Sequence, residues 1–126
     1  MEFRLLTEED TEQYRTFRLQ ALNELPASFA SSYESEKKKS IEELIQEITP
    51  SKSAFIMGAL LDSELSGIAG FKQESLEKMK HRGQILGMYI SPAMRGKGLG
   101  KKLLGSLIER IKEHADIEKV DLAVAV

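Results

Sequence analysis

The sequence predicts an α+β fold of mixed α/β character, built as one domain over residues 1–126, and three observations carry the prediction. The run "AFIMGALL" at 54–61 is apolar almost without a break, which implies a strand buried on both faces in a sheet that helices cover. Leu99, Leu103, Leu104, Leu107, Ile108 and Ile111 recur at spacings of three and four, the stripe of an amphipathic helix. Strand-like runs stand on both sides of that helix, and 41% hydrophobic with 30% charged residues in 126 positions suits one core.

In chain order, "EFRLLT" opens as a short strand, with Phe3 and Leu5 alternating against Arg4. Thr7 reads as an N-cap, and Glu8, Glu9 and Asp10 place carboxylates at the positive pole of the helix that follows. Tyr14, Phe17, Ala21, Leu22 and Leu25 carry this helix to Glu24, before Pro26 stops it. "PASFASSYESEKKKS" has no period and reads as a loop bearing Phe29 and Tyr33. Ser40 with Glu43 makes a capping-box pattern ahead of Ile41, Leu44, Ile45 and Ile48, so a short second helix should end by Thr49 and Pro50.

"SAFIMGALL", "ELSGIAGFKQES" and "HRGQILGMYIS" then read as three strands, the first two joined by a tight turn at Asp62 and Ser63. The leucine-rich helix should end near His114, and "KVDLAVAV" begins a last strand with Leu122, Val124 and Val126 on one face. An apolar strand at an edge invites pairing, so a homodimer through this strand is expected.

Eighteen Lys and Arg against 20 Asp and Glu give a formal net charge of -2, which argues against a general basic field for nucleic acid or membrane. Any anion site must be local. The chain has no cysteine, which excludes disulfides, thiolate nucleophiles and Cys-based zinc sites. "MEFRLLTEED" is acidic where a secretion signal is basic, and no apolar run approaches the roughly 18 to 20 residues of a membrane span, so a soluble, cytoplasmic protein is expected.

The local anion site is predicted at "MYISPAMRGKGLGKKLLGSLI", residues 88–108. A helix N-terminus carries N–H groups without intrahelical partners and about half a unit of positive charge. Gly96, Gly98 and Gly100 remove the Cβ atoms that would keep a phosphate away, and Arg95, Lys97, Lys101 and Lys102 add cationic reach. Two nucleotide templates fit poorly. A P-loop needs four residues before its Gly-Lys pair and then Ser or Thr, whereas Gly96 and Gly100 enclose three and Lys102 follows Lys101. A dinucleotide fingerprint needs G-x-G-x-x-G after the first strand of a βαβ unit, and Asp121 stands on the wrong side of its strand for the ribose-binding acid.

Arg95-Gly96-Lys97-Gly98-Leu99-Gly100 resembles the R/Q-x-x-G-x-G/A signature of the GNAT (GCN5-related) superfamily of acyl-CoA-dependent N-acetyltransferases. The order strand, two helices, three antiparallel strands, signature, helix, strand is also similar to that family, and "FRLQALNELPASFASSYESE" resembles the acceptor-side helix and loop of its bacterial members. The resemblance implies a mostly antiparallel central sheet lacking its C-terminal strands, and transfer of an acetyl group from acetyl-CoA to a primary amine of a small molecule or peptide. It implies that the amides of Arg95, Gly96, Lys97, Gly98, Leu99, Gly100 and Lys101 hold the CoA pyrophosphate. Met88, Tyr89 and Ile90 would border the cofactor, with the backbone of Met88 and Ile90 pairing with the pantetheine arm where "ILGMYI" and "LAVAV" splay apart. An amide of Ile90 or a neighbour would lie near the thioester oxygen.

The family's carboxylate on the strand before the signature has no counterpart in Gln84 to Tyr89, and its tyrosine general acid would lie after Val126. The catalytic acid and base are therefore unassigned, and a non-catalytic CoA- or nucleotide-binding module is the alternative. Tyr89 is a candidate proton donor by its neighbourhood, but an aromatic on an apolar strand is more simply core. His81, between Lys80 and Arg82, reads as a solvated strand-entry residue, and His114 as a partner of a helix C-terminus. Two separated histidines predict no metal site. Lys37, Lys38 and Lys39 read as a solvated loop, while Phe29 and Tyr33 either line an acceptor pocket or pin that loop.

Overall fold

A computed structural model describes residues 1–25, 32–74, 81–113 and 117–123. The elements are β1 (Glu2–Leu5), α1 (Thr11–Glu24), α2 (Tyr33–Lys37), α3 (Ile41–Ile48), β2 (Ala54–Leu61), β3 (Glu64–Gln73), β4 (Arg82–Ile90), α4 (Leu99–Lys112) and β5 (Lys119–Ala123). They form one sheet in the order β1-β2-β3-β4-β5. β1 to β4 pair antiparallel, while β5 runs parallel to β4 from Arg82↔Lys119 to Leu86↔Ala123.

Both faces of the sheet are covered, as the apolar run at 54–61 requires. Phe55, Met57, Ala59, Ala69, Phe71 and Ile85 pack on one face against Leu99, Leu103, Leu107 and Ile111 of α4. On the other face Leu60, Ile68 and Tyr89 meet Leu6, Tyr14, Phe17, Ala21 and Ile48. The α4 residues are at most 4% exposed, and burying each leucine is worth about 1.5–3 kcal/mol. This interface, rather than local propensity, holds α4 on the sheet.

The β2–β3 turn forms at Asp62 and Ser63, whose φ values of 50° and 69° suit a two-residue hairpin that matches strand twist. α1 ends at Glu24 as its proline predicts, but it begins later than expected. Thr7 starts a 3-10 turn over Glu8–Asp10, and the α-helix follows from Thr11. The reason is Asp10, whose carboxylate accepts the Thr7 N–H at 2.8 Å and both terminal nitrogens of Arg4 at 2.8 and 2.9 Å.

Residues 33–37 are helical rather than loop. Ser32 caps α2 by accepting the Ser35 N–H at 3.1 Å. Glu36 is only 2% exposed, and Lys39 reaches it at 3.0 Å and Glu47 at 2.8 Å, so the lysine run is not merely solvated. Burial alone would lower the Lys39 pKa, but hydrogen bonds to Glu47 and Glu36 outweigh it and hold the pKa above its usual value. Ser40 caps α3 through the Glu43 N–H at 3.2 Å. Phe29, His114, Val124 and Val126 lie outside the described residues.

Arg4 holds the Asp10 carboxyl below the ordinary aspartate range, chiefly by hydrogen bonding, with the Thr7 amide adding to it. Because the folded pKa is depressed, the stabilisation is complete above the unfolded value of about 3.9 and is lost as pH falls through the folded one. Asp10→Asn is expected to cost about 1–2 kcal/mol in urea unfolding at pH 7, with the difference from wild type vanishing on acidification below the folded pKa.

Candidate cofactor and acceptor site

β4 carries the site because a bulge changes the facing of its side chains. Ile68 pairs with Tyr89 and Gly70 with Leu86, so Gly87 and Met88 together oppose Ala69. Gly87 has φ +64°, which a residue with a Cβ rarely adopts. Ile85 and Tyr89 would share a face in a regular strand. Here Ile85 joins the α4 core while Tyr89 points into the α1 core. Met88 and Ile90 pack beneath the first turn of α4, and an added Cβ on Gly100 would lie 3.5 Å from Met88 Cε and 3.8 Å from Ile90 Cγ1.

β4 then ends in a short 3-10 turn, Pro92–Met94, and the chain turns through Gly96 and Gly98 into α4. Both glycines have φ +77°, and a Cβ on either would meet nothing within 4 Å. Gly98 is the N-cap of α4 and offers no side-chain acceptor. The first intrahelical bond runs from Lys102 N–H to Gly98 O at 3.3 Å, which leaves the amides of Leu99, Gly100 and Lys101 ahead of it. An open helix N-terminus, bare glycines and exposed Lys97, Lys101 and Lys102 stand together here, the features by which backbone amides can receive an anion. Of the amides in that stretch, Arg95 N–H is already engaged, closing the 3-10 turn by donating to Pro92 O at 3.3 Å.

Arg95 does not reach outward with the lysines. Its Nε donates to Ile90 O at 3.1 Å, its Nη1 lies 2.5 Å from Glu24 Oε1, and its guanidinium sits 5.4 Å from the centre of the Tyr89 ring. Glu24 also accepts the Tyr89 hydroxyl through Oε2. Hydrogen bonds from Tyr89 and Arg95 hold the Glu24 pKa below the usual carboxylate range, while burial and then Glu24 push the Tyr89 pKa up. Tyr89 is 2% exposed and meets Phe17 edge-on, with ring centres 5.2 Å apart. It is a core residue whose hydroxyl reaches the end of α1.

Ser91 donates its N–H to Ser66 O at 2.9 Å, so strand alternation turns the amide of Ile90 away from β3. That edge is the one β5 follows only as far as Leu86 among the described residues. On the α1 face a cleft of about 140 Å³ opens beside the bulge, lined among others by Tyr14, Arg18, Glu47, Ile68, Gly70 and Gly87. Arg18 lies against Gly87, where a Cβ would be 3.1 Å from its Nη1, and its Nη2 is 3.6 Å from Glu36. Tyr14 donates to Glu47 at 3.1 Å. Two residues here were not singled out in the sequence, although both lie in the stretch that resembles the family's acceptor-side helix. Glu24 and Arg18 sit on α1, more than sixty residues before Tyr89 and Gly87, the residues of β4 that they meet. His81 lies at the start of β4, outside this site, where its carbonyl accepts the Glu118 N–H at 2.8 Å. Among the described residues no group of three or more acidic or histidine side chains is placed to hold a metal, and no helix is long and apolar enough to cross a membrane.

Residues 16–126 match the model of the Acetyltransferase (GNAT) family, and the chain belongs to that family. No protein of curated function matches the sequence. Among solved structures, a GNAT acetyltransferase from Streptococcus pneumoniae superposes with TM-score 0.81 at 18% identity, covering 98% of this chain and 74% of that one. The PaiA N-acetyltransferase of Thermoplasma acidophilum, solved with coenzyme A, has TM-score 0.74 at 27% identity, covering 94% and 77%. A ribosomal-protein-alanine N-acetyltransferase from Brucella melitensis biovar Abortus 2308 has TM-score 0.70 at 20% identity, covering 96% and 77%.

The signature's glycines are not equivalent. Gly98→Ala should cost about 1 kcal/mol in thermal unfolding because of its positive φ, despite open space around it. Gly100→Ala, inside the helix and with only ordinary contacts, should stabilise the unliganded protein by about 0.5–1 kcal/mol.

Proposed function

We propose that this chain is an N-acetyltransferase that uses acetyl-CoA to acetylate a primary amine of a small molecule or peptide. The carrying observation is the uncapped start of α4 behind two left-handed glycines, in a member of an acetyltransferase family. The Thermoplasma relative solved with coenzyme A supports the same ligand class here.

This helix start fits a diphosphate because its glycines present backbone and no side chain. The amides of Gly96, Lys97, Gly98, Leu99, Gly100 and Lys101 would hold the pyrophosphate, with the lysines screening its charge. Met88 and Ile90 would lie along the pantetheine arm, Ile90 offering its N–H on the edge of β4 turned away from β3. When bound, acetyl-CoA supplies an activated thioester carbonyl. The chain's own part is to orient that group beside the bulge and to present the amine from the other face. The cleft at Gly87, with Arg18 and Glu47 among its lining residues, is the acceptor site in this reading.

One observation favours a second reading. Residues Gln84 to Ile90 hold no carboxylate, and the Tyr89 hydroxyl is already bound by Glu24, as suits a module that binds CoA without turnover. Acetyl-CoA at a hundredfold excess over Kd is expected to stabilise the protein by ~2.7 kcal/mol in a thermal-shift titration, and Gly98→Val to abolish that gain while still melting cooperatively. Absence of stabilisation in the wild-type protein rejects both readings. Release of free thiol with an amine panel selects the enzyme; binding without thiol release selects the module.

A further inference from the structure

We infer that Glu24, in the last turn of α1, is a positioning residue for the cofactor loop: it anchors the Arg95 side chain on the end of β4 and thereby aims the amides that follow. The inference rests on the acetyl-CoA reading above. Arg95 stands between a 3-10 turn and a glycine, a place where backbone direction is weakly determined. Three side-chain contacts supply what the backbone lacks: Glu24 Oε1 at 2.5 Å, Ile90 O at 3.1 Å and the face of Tyr89.

The last peptide of β4 is thus gripped from both sides, its C=O by Arg95 and its N–H by Ser66 O at 2.9 Å. Glu24 is fixed in turn by the Tyr89 hydroxyl, and Tyr89 by the core. A guanidinium has five donors in a rigid fork, so a single carboxylate decides whether it lies along the strand or turns to solvent. The Glu24 and Arg95 side chains are 29% and 43% exposed, and ion pairs of that exposure add little to folding stability. Their effect should appear where orientation matters, in ligand affinity through a preorganised loop.

The test is Glu24→Gln, read by calorimetric titration of acetyl-CoA and by thiol-release kinetics on the full chain. The Kd and KM for acetyl-CoA should rise about tenfold, the loss of one charge-assisted contact, with the KM for the amine and the melting midpoint unchanged. Arg95→Gln should do the same, and the double variant should bind no more weakly than either single one, because both remove one anchor. Wild-type affinity in Glu24→Gln, or multiplied losses in the double variant, would overturn the inference. So would a parallel fall in melting midpoint and amine affinity, which marks a structural role only. A wild-type protein that binds no acetyl-CoA fails at the cofactor reading itself, and that outcome is separate from all of these.

Discussion

The structure turns on a helix start whose hydrogen bonds are left unmade. The same chain closes two of its other helices with serines: Ser32 caps α2 and Ser40 caps α3, each accepting an amide three residues on. α4 begins instead at a glycine with no side chain to offer, so its first amides stay directed outward. A helix can begin this way only if something other than capping stabilises it. Leu99, Leu103, Leu107 and Ile111, buried against three strands, supply that stability from the opposite side. Core packing and the open N-terminus belong to one helix, and the first permits the second.

β4 joins this helix start to the other half of the molecule. Its bulge at Gly87 lets one strand serve two faces, Met88 and Ile90 under α4 and Tyr89 among the residues of α1. Glu24, Tyr89 and Arg95 then close a polar link from α1 across the strand to the glycine loop. The Arg18, Glu36, Lys39 and Glu47 cluster does comparable work on the α1 face, where a nearly buried carboxylate is held by cations from α1 and from the connection between α2 and α3. Burying Glu36 without them would cost far more than the short α2 could return.

Much of this was legible in the residues. The strands at 54–61, 64–73 and 82–90 follow from apolar runs bounded by turn residues, and the Asp62-Ser63 turn from the two-residue gap between them. The α4 stripe and the Ser40 cap are local patterns, and local patterns survive in almost any tertiary setting. The glycine signature pointed to the loop for the same reason, since positive φ is demanded by the turn itself. The helix at 33–37 was missed because five residues span little more than one turn and show no period; its cap and its Glu36 ion pairs decide it. The bulge was missed because one glycine in a strand does not say whether the register slips there.

By itself the sequence determined where most helices and strands lie, which faces are apolar, and that the chain turns through glycines into α4, because these depend on contacts within a few residues. Only the tertiary structure decided that Tyr89 faces α1, that Arg95 folds back on Ile90 and that Glu24 and Arg18 come to the strand from α1. Those placements depend on a register shift and on charges that compensate one another across more than sixty residues, and no local pattern records such a meeting.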